Sequence, residues 1–181
     1  ELNVSCPHVE KTGSEIGQNP KLVAEVVTQV KKAVEIPALV KLTPNVADIV
    51  EVAKVAVKAG ADGVTAINTV RAMAIDTETA KPILANKIGG LSGSAIRPLA
   101  VRCVYEIYES VDVPIIGCGG ITSWRDAVEF MLAGASAVQV GTGIASEGPG
   151  IFKLMSKGID SYVLKKGLRS VKEIVGLSHR Q

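Results

Sequence analysis

The sequence predicts a parallel α/β fold, the carboxyl-terminal part of a (β/α)8 TIM barrel, and three observations carry that expectation. Strand-like and helix-like patterns alternate along the chain, as they do in parallel α/β architecture. A strand–helix–strand unit recurs: Val34-Glu35-Ile36-Pro37 and Val111-Asp112-Val113-Pro114 each introduce a strand, and Ala59-Gly60-Ala61 and Ala133-Gly134-Ala135 each introduce the strand after it. Two glycine clusters, Gly117–Gly120 and Gly141–Gly143, follow the last two strands, where a barrel keeps its phosphate site.

The first strand runs from Glu1 toward Cys6, with Leu2 and Val4 on one face, Asn3 and Ser5 on the other, and Pro7 ending it. Asn19 and Pro20 supply the N-cap and first-turn proline of a helix whose apolar face is Leu22, Val23, Val26, Val27, Val30 and Val34. Residues 37–43 form a short apolar strand, and residues 47–59 form a helix stopped at Gly60. The next strand is 62–68. The connection over 70–92, with Pro82 and the Gly89-Gly90 pair, is long enough to suggest a functional excursion. A helix over 96–109 leads to strand 113–118. Ser123 and Asp126 make a capping box for helix 123–133, closed by Gly134. Strand 136–140 follows, and helical material fills most of 149–175.

Five strands are fewer than the eight of a closed barrel, which takes about 250 residues. The expectation is therefore one domain over residues 1–181 that holds five β/α units, with the amino-terminal units missing. An open, doubly wound five-stranded sheet is the structural alternative.

Composition bounds the function. The chain is 47% hydrophobic, 21% charged and only 3% aromatic, so branched aliphatics fill the interior, as suits buried parallel strands. A net charge of +2 with scattered Lys and Arg gives no basic stripe for nucleic acid. The most apolar stretch, 128–145, contains Glu129 and Gln139 and is broken by Gly134 and Gly141, so no membrane span is expected. Cys6, Cys103 and Cys118 form no close pair, and His8 and His179 are the sole histidines, so no metal site is expected. Three thiols without a signal peptide fit a reducing cytoplasm.

Several residues are candidates for chemistry. Amides freed of side chains in the two glycine clusters can cradle a phosphate, although either cluster alone reads equally as a turn. Lys41 sits among apolar residues of its strand and should meet a carboxylate or a ligand charge, unless it is a surface lysine at the strand end. Asn68 and Thr69 can hydrogen-bond a planar polar ligand or simply form a turn. Cys103 and Cys118 read as small core residues. Cys6 differs, lying between Ser5 and Pro7 at the active end of its strand with no His–Asp partner to make a protease-like dyad. A thiol, with an ordinary pKa of about 8.5, can take a carbon-bound proton when another group accepts the electrons left behind.

Together these segments resemble the dihydroorotate dehydrogenase family. The run Glu1–His8 resembles its active-site segment, and Val40–Asn45, Ile67–Val70 with Ile75-Asp76, Gly89–Gly93, Gly117–Ile121 and Val140–Thr142 follow in family order over essentially the whole chain. A cysteine base is similar to the soluble class 1 enzymes, and the Thr43-Pro44-Asn45 and Gly89–Gly93 segments resemble the type B catalytic subunit. The resemblance implies an FMN-dependent oxidation of (S)-dihydroorotate to orotate in pyrimidine biosynthesis. It implies Cys6 as the base at C5 while FMN accepts hydride from C6. Asn3, Asn68 and Thr69 would hold the pyrimidine, with Asn3 also near the flavin. Lys41 would meet the electron-rich edge of the flavin, and Ile67 would approach it through its backbone. Gly93, Gly119, Gly120, Gly141 and Thr142 would bind FMN, the last four around its phosphate. An iron–sulfur, FAD-containing electron-transfer subunit is the implied partner, in a heterotetramer or, without it, a homodimer.

His8 departs from the family pattern, in which asparagine commonly follows Cys-Pro. It either bonds orotate or lies on the loop. Histidine there also resembles the dihydropyrimidine dehydrogenases, which supply an alternative. Their catalytic Ala-Cys-Gly-Gln run corresponds here to Glu15-Ile16-Gly17-Gln18, which has no thiol. The other alternative is a phosphate-ligand-binding barrel fragment with no activity of its own.

Overall fold

The computed structural model describes residues 1–4 and 13–180, the side chains of 13–15 excepted. Strand β1 (Leu2–Asn3) is followed by α1 (Gly13–Gln18), α2 (Pro20–Ala33), β2 (Leu39–Leu42), α3 (Ile49–Lys58) and β3 (Gly63–Ala66). An excursion then holds β4 (Val70–Ala72), β5 (Ile75–Asp76), β6 (Lys81–Pro82) and β7 (Gly89–Leu91). The chain continues through α4 (Arg97–Tyr108), β8 (Ile115–Cys118), α5 (Trp124–Leu132), β9 (Ala137–Gln139), α6 (Gly143–Glu147) and α7 (Ile151–Lys165).

The five strands expected to end near Cys6, Lys41, Asn68, Cys118 and Val140 correspond to β1, β2, β3, β8 and β9, which form one sheet in the order β1-β2-β3-β8-β9 with every pairing parallel. Order therefore follows sequence, each strand lying beside the one before it, as in an arc of a barrel. Helix packs on helix in the same order: α2 on α3, α3 on α4, α4 on α5 and α5 on α7. This is the α/β architecture read from the sequence, a partial barrel.

Local signals set the element ends. The Asn19 side chain accepts from the Lys21 and Leu22 amides, with Pro20 at the first helical position of α2. Asp48, not anticipated, caps α3 in the same way. Gly60, at φ +105°, ends that helix in a conformation that a side chain resists. Ser123 and Asp126 form the expected capping box. On α2, Val23 and Val27 are buried, whereas Leu22, assigned to the same face, is exposed, since it lies one residue, about 100° of helix rotation, from Val23.

One face of the sheet lies under the helices. Val40, Leu42, Val64, Ala66 and Ile115 point there and are buried against Val52, Ala53 and Ala56 of α3, Ala100, Val104 and Ile107 of α4, and Phe130 of α5. Burying each larger aliphatic side chain contributes about 1.5–3 kcal/mol, so this layer dominates the fold's stability. A second cluster of Val128, Met131, Val163 and Ile174 joins α5, α7 and the turn near 171–173.

The 70–92 connection is not structureless. β4 pairs antiparallel with β7, and β5 with β6, so the segment doubles back as two nested ribbons. Gly90 packs directly against the Thr69 side chain, with no room for a β-carbon. That close approach seats the ribbon over the end of β3.

Candidate active site

Parallel register and side-chain alternation decide which groups meet. Asn3 aligns with Lys41, Lys41 with Thr65, and Cys118 with Gln139. Glu1, Asn3, Lys41, Thr65, Cys118 and Gln139 therefore share the sheet face opposite the helix-packed one. On a face turned away from the helices, polar groups must satisfy one another or a ligand.

They do so closely. Lys41 Nζ donates to Gln139 Oε1 at 2.9 Å and to Cys118 Sγ at 3.7 Å, and stands 3.9 Å from Glu1 Oε1. Glu1 Oε2 accepts from Thr65 Oγ1 at 2.5 Å and from Gln139 Nε2 at 2.8 Å. Burial pushes the Glu1 carboxyl up, but the Thr65 and Gln139 hydrogen bonds and the Lys41 charge outweigh it and hold the group below its ordinary value.

Above this layer, at the carboxyl ends of the strands, lies a cavity of about 270 Å³. Of the residues singled out in the sequence, Lys41, Ile67, Asn68, Thr69, Gly93, Gly119, Gly120, Gly141 and Thr142 all line it. Asn3 joins them by accepting a hydrogen bond from Asn68 Nδ2 at 3.2 Å. Cys6 and His8 lie outside the described residues. Cys118, read from the sequence as a core residue, lines the cavity instead, because its side chain shares the polar face with Lys41. Ser92, Ile96 and Ile121 complete the wall.

The loops that carry these residues are tied to one another. Asn45 Nδ2 donates to Thr43 Oγ1 at 2.9 Å and to the Thr69 carbonyl at 3.0 Å, while its Oδ1 accepts from the Arg71 amide at 2.8 Å. One amide thus fastens the loop after β2 to the loop that presents Asn68 and Thr69. The Asn68 side chain also accepts from the Thr69 amide at 2.7 Å, which orients it over its own turn.

Glycine is required at the end of β8. Gly120 has φ +72°, and a β-carbon there would lie 2.7 Å from the Gly93 carbonyl. Gly119 has φ +136° and abuts Ala100. Gly117 serves packing instead, since Phe130 of α5 fills the place of its side chain. Gly93 and Gly141 behave differently. They line the cavity, and a β-carbon on either meets nothing within 4 Å. The space that their missing side chains leave belongs to the cavity itself.

An ion pair braces this floor from behind. Asp126, 7% exposed, accepts at Oδ2 from the Thr122 amide (3.0 Å), the Thr122 hydroxyl (3.1 Å), the Ser123 amide (2.8 Å) and the Ser123 hydroxyl (3.0 Å). Its Oδ1 accepts from Arg97 Nη1 at short range, and Arg97 Nε lies 3.2 Å from Glu129 Oε2. Arg97 begins α4 next to Gly120, so the pair locks the loop after β8 to the amino end of α4. The short 3-10 turn Ser94–Ile96 before α4 starts at Gly93 with no side chain capping it, and it opens on the cavity.

Sequence reasoning assigned no role to Glu1, Thr65, Gln139, Asn45 or Asp126's partner Arg97. Alternation carried one usable sign: Glu1 shares the parity of Asn3, and Gln139 interrupts an otherwise apolar strand. Among the described residues, no group of three or more His, Cys, Asp or Glu side chains is arranged for a metal ion. No helix among them is long and apolar enough to cross a membrane.

Comparison with known proteins gives consistent results. A family model described as dihydroorotate dehydrogenase matches residues 1–163. The chain is 54% identical over 178 residues to the dihydroorotate dehydrogenase B (NAD(+)) catalytic subunit of Pyrococcus abyssi, covering 98% of the chain and 60% of that relative. It is 55% identical over 179 residues to the corresponding subunit of Methanocaldococcus jannaschii, covering 99% of the chain and 58% of that relative. The crystal structure of an Eimeria tenella dihydroorotate dehydrogenase in complex with ferulenol matches with a TM-score of 0.83 at 25% identity, over 99% of the chain and 53% of that structure. The chain therefore spans about three-fifths of the length of the curated relatives it matches.

Proposed function

The chain belongs to the dihydroorotate dehydrogenase family, and from that premise we propose that its polypeptide oxidises (S)-dihydroorotate to orotate in pyrimidine biosynthesis, with FMN as the flavin. Residues 1–181 form one domain of an FMN-binding barrel in this reading. The observation that carries it is the single cavity wall shared by Lys41, Asn68, Thr69, Gly119, Gly120, Gly141 and Thr142. A cation and amide donors stand at its sheet end, and side-chain-free backbone lies at its loop end.

The residues fit the cofactor. Gly93 and Gly141 leave room within the cavity, and Gly119, Gly120, Gly141 and Thr142 are suited to the phosphate. Lys41 suits the electron-rich edge of the ring system, and Ile67 contributes backbone. When bound, FMN supplies the acceptor for the hydride that leaves C6 of the substrate. Cys6, as thiolate, takes the proton from C5, and the C5–H bonding pair becomes the new double bond to C6. Asn3, Asn68 and Thr69 bind the pyrimidine and its carboxylate. The hydrogen bond from Asn68 to Asn3 and the Asn45 clamp on Thr69 hold that set in one arrangement before substrate arrives.

The names of the relatives, each a B (NAD(+)) catalytic subunit, support a separate electron-transfer subunit; in our reading that subunit carries an iron–sulfur centre and FAD, and the assembly is a heterotetramer. A homodimer is the simpler arrangement. A cytoplasmic location is part of the same reading.

The full polypeptide is expected to purify yellow, and its flavin absorbance is expected to bleach when dihydroorotate is added without oxygen. Persistent oxidised-flavin absorbance sinks the dehydrogenase reading and leaves a phosphate-ligand-binding barrel. A second expectation separates binding from folding. Gly141→Val, on an exposed backbone with open space around it, should leave stability within about 0.5 kcal/mol. It should weaken FMN binding by about tenfold or more, because overpacking of this kind costs about 1–3 kcal/mol. Equilibrium dialysis beside thermal unfolding reads both; unchanged FMN affinity would take Gly141 out of the cofactor site.

A further inference from the structure

We propose that Gln139 is a positioning residue that holds the Lys41 ammonium toward the cavity and keeps the Glu1 carboxylate from closing onto it. The inference rests on the FMN reading above and goes beyond it to the residue behind the flavin-facing cation.

The geometry is that of an amide set between two opposite charges. Gln139 Oε1 accepts from Lys41 Nζ at 2.9 Å, and Gln139 Nε2 donates to Glu1 Oε2 at 2.8 Å. The two charges fix the amide's orientation, since a flipped amide would put its NH2 against the ammonium and its oxygen against the carboxylate. Thr65 Oγ1 draws on the same Glu1 oxygen at 2.5 Å, so both hydrogen bonds to the carboxylate fall on Oε2. Oε1, nearest the ammonium, stays 3.9 Å away, beyond hydrogen-bond length.

The consequence is a cation that is compensated but not consumed. An ammonium has three N–H donors. One goes to Gln139, and Cys118 Sγ at 3.7 Å is a weak acceptor, so a strong donor remains for a ligand in the cavity that Lys41 lines. The Lys41 and Glu1 side chains are 17% and 27% exposed, so their charges are only partly screened by water. Without the amide, Glu1 and Lys41 are free to close into direct contact. The positive field at the inner end of the cavity then weakens, and with it the preference for a ligand that becomes more negative during the reaction.

The test uses the full-length protein with FMN and reads two equilibrium quantities, the affinity for oxidised FMN and the two-electron midpoint potential of the bound flavin. Gln139→Met should leave oxidised FMN bound with little change in affinity. It should reduce the preference for reduced over oxidised flavin by about tenfold, which for a two-electron couple is a potential about 30 mV more negative. In a Lys41→Met background the same change should produce no further shift, because the effect runs through the ammonium. Should Gln139→Met not fold, the near-isosteric Gln139→Glu serves in its place. It sets a second carboxylate against Glu1 and the ammonium, and its potential should likewise fall. An unshifted potential in these variants, or an equal shift with Lys41 already removed, overturns the proposal while leaving the FMN reading intact. A wild-type protein that holds no FMN overturns both.

Discussion

Replacement of Cys6 by alanine is expected to lower dihydroorotate turnover by about 10³-fold, within the range of roughly 10²–10⁴ that a positioned general base contributes, while the protein stays yellow. In the proposed reaction a proton leaves C5 and a hydride leaves C6, and only the hydride would have the flavin as its destination. Without the thiolate, water must take the C5 proton, and the rate falls although substrate and cofactor still bind. Anaerobic stopped-flow mixing of the variant with dihydroorotate measures flavin reduction directly. Near-normal reduction would remove Cys6 from the mechanism. Substitution is the decisive experiment here and thiol-blocking reagents are not, because Cys118 also lines the cavity and its modification would place bulk against Lys41. In wild-type protein the reduction rate should rise with pH as the thiolate fraction grows, and that dependence should be absent from the alanine variant.

How much of this was legible in the sequence follows from the range of each signal. The N-caps at Asn19 and Ser123 and the helix stops at Gly60 and Gly134 depend on neighbours within a few residues, and the structure has them where the sequence does. The glycine clusters were readable as exposed backbone at the strand ends, and Gly119, Gly120 and Gly141 line the cavity there. The ribbons in 70–92 were not readable. Strands of two or three residues have too little length to display a period of two, and their placement depends on Gly90 meeting Thr69 from outside the segment.

Pairings across the sheet were further out of reach. Glu1 and Gln139 are 138 residues apart, and they meet because β1, β2, β3, β8 and β9 fall into one register. Cys118 was misread for the same reason. A thiol between glycines in an apolar strand looks like core until the register shows that it shares a face with Lys41 and Gln139. Local chemistry marked the rim of the site, whereas the polar layer beneath it is a product of topology.

Asp126→Asn is expected to destabilise the protein by about 2 kcal/mol, within the roughly 1.5–3 kcal/mol of hydrogen bonds to a charged group, since Arg97 is one-third exposed and keeps Glu129, and to weaken FMN binding with it. The carboxylate is used on both sides: Oδ2 accepts four hydrogen bonds from Thr122 and Ser123, and Oδ1 accepts from Arg97. Asparagine has the same shape but one NH2, and either orientation sets that donor against other donors. Facing Arg97, it leaves the guanidinium to Glu129 alone; facing the loop, it strips Thr122 and Ser123 of their acceptor. Because that loop continues directly from Gly119 and Gly120, its loosening should reach the cavity floor. Burial pushes the Asp126 carboxyl up, but the bonds from Thr122 and Ser123 and the Arg97 charge outweigh it and hold its pKa below the ordinary 3.8. A depressed carboxyl pKa contributes stability that is fully present above pH 3.8 and is lost as pH falls below it through the folded-state value. Denaturant unfolding of the two proteins should therefore differ by a constant amount at neutral pH, with the gap narrowing as the acid limb of the wild type is entered. A gap that persists undiminished there would mean that packing, rather than the carboxylate charge, accounts for the loss.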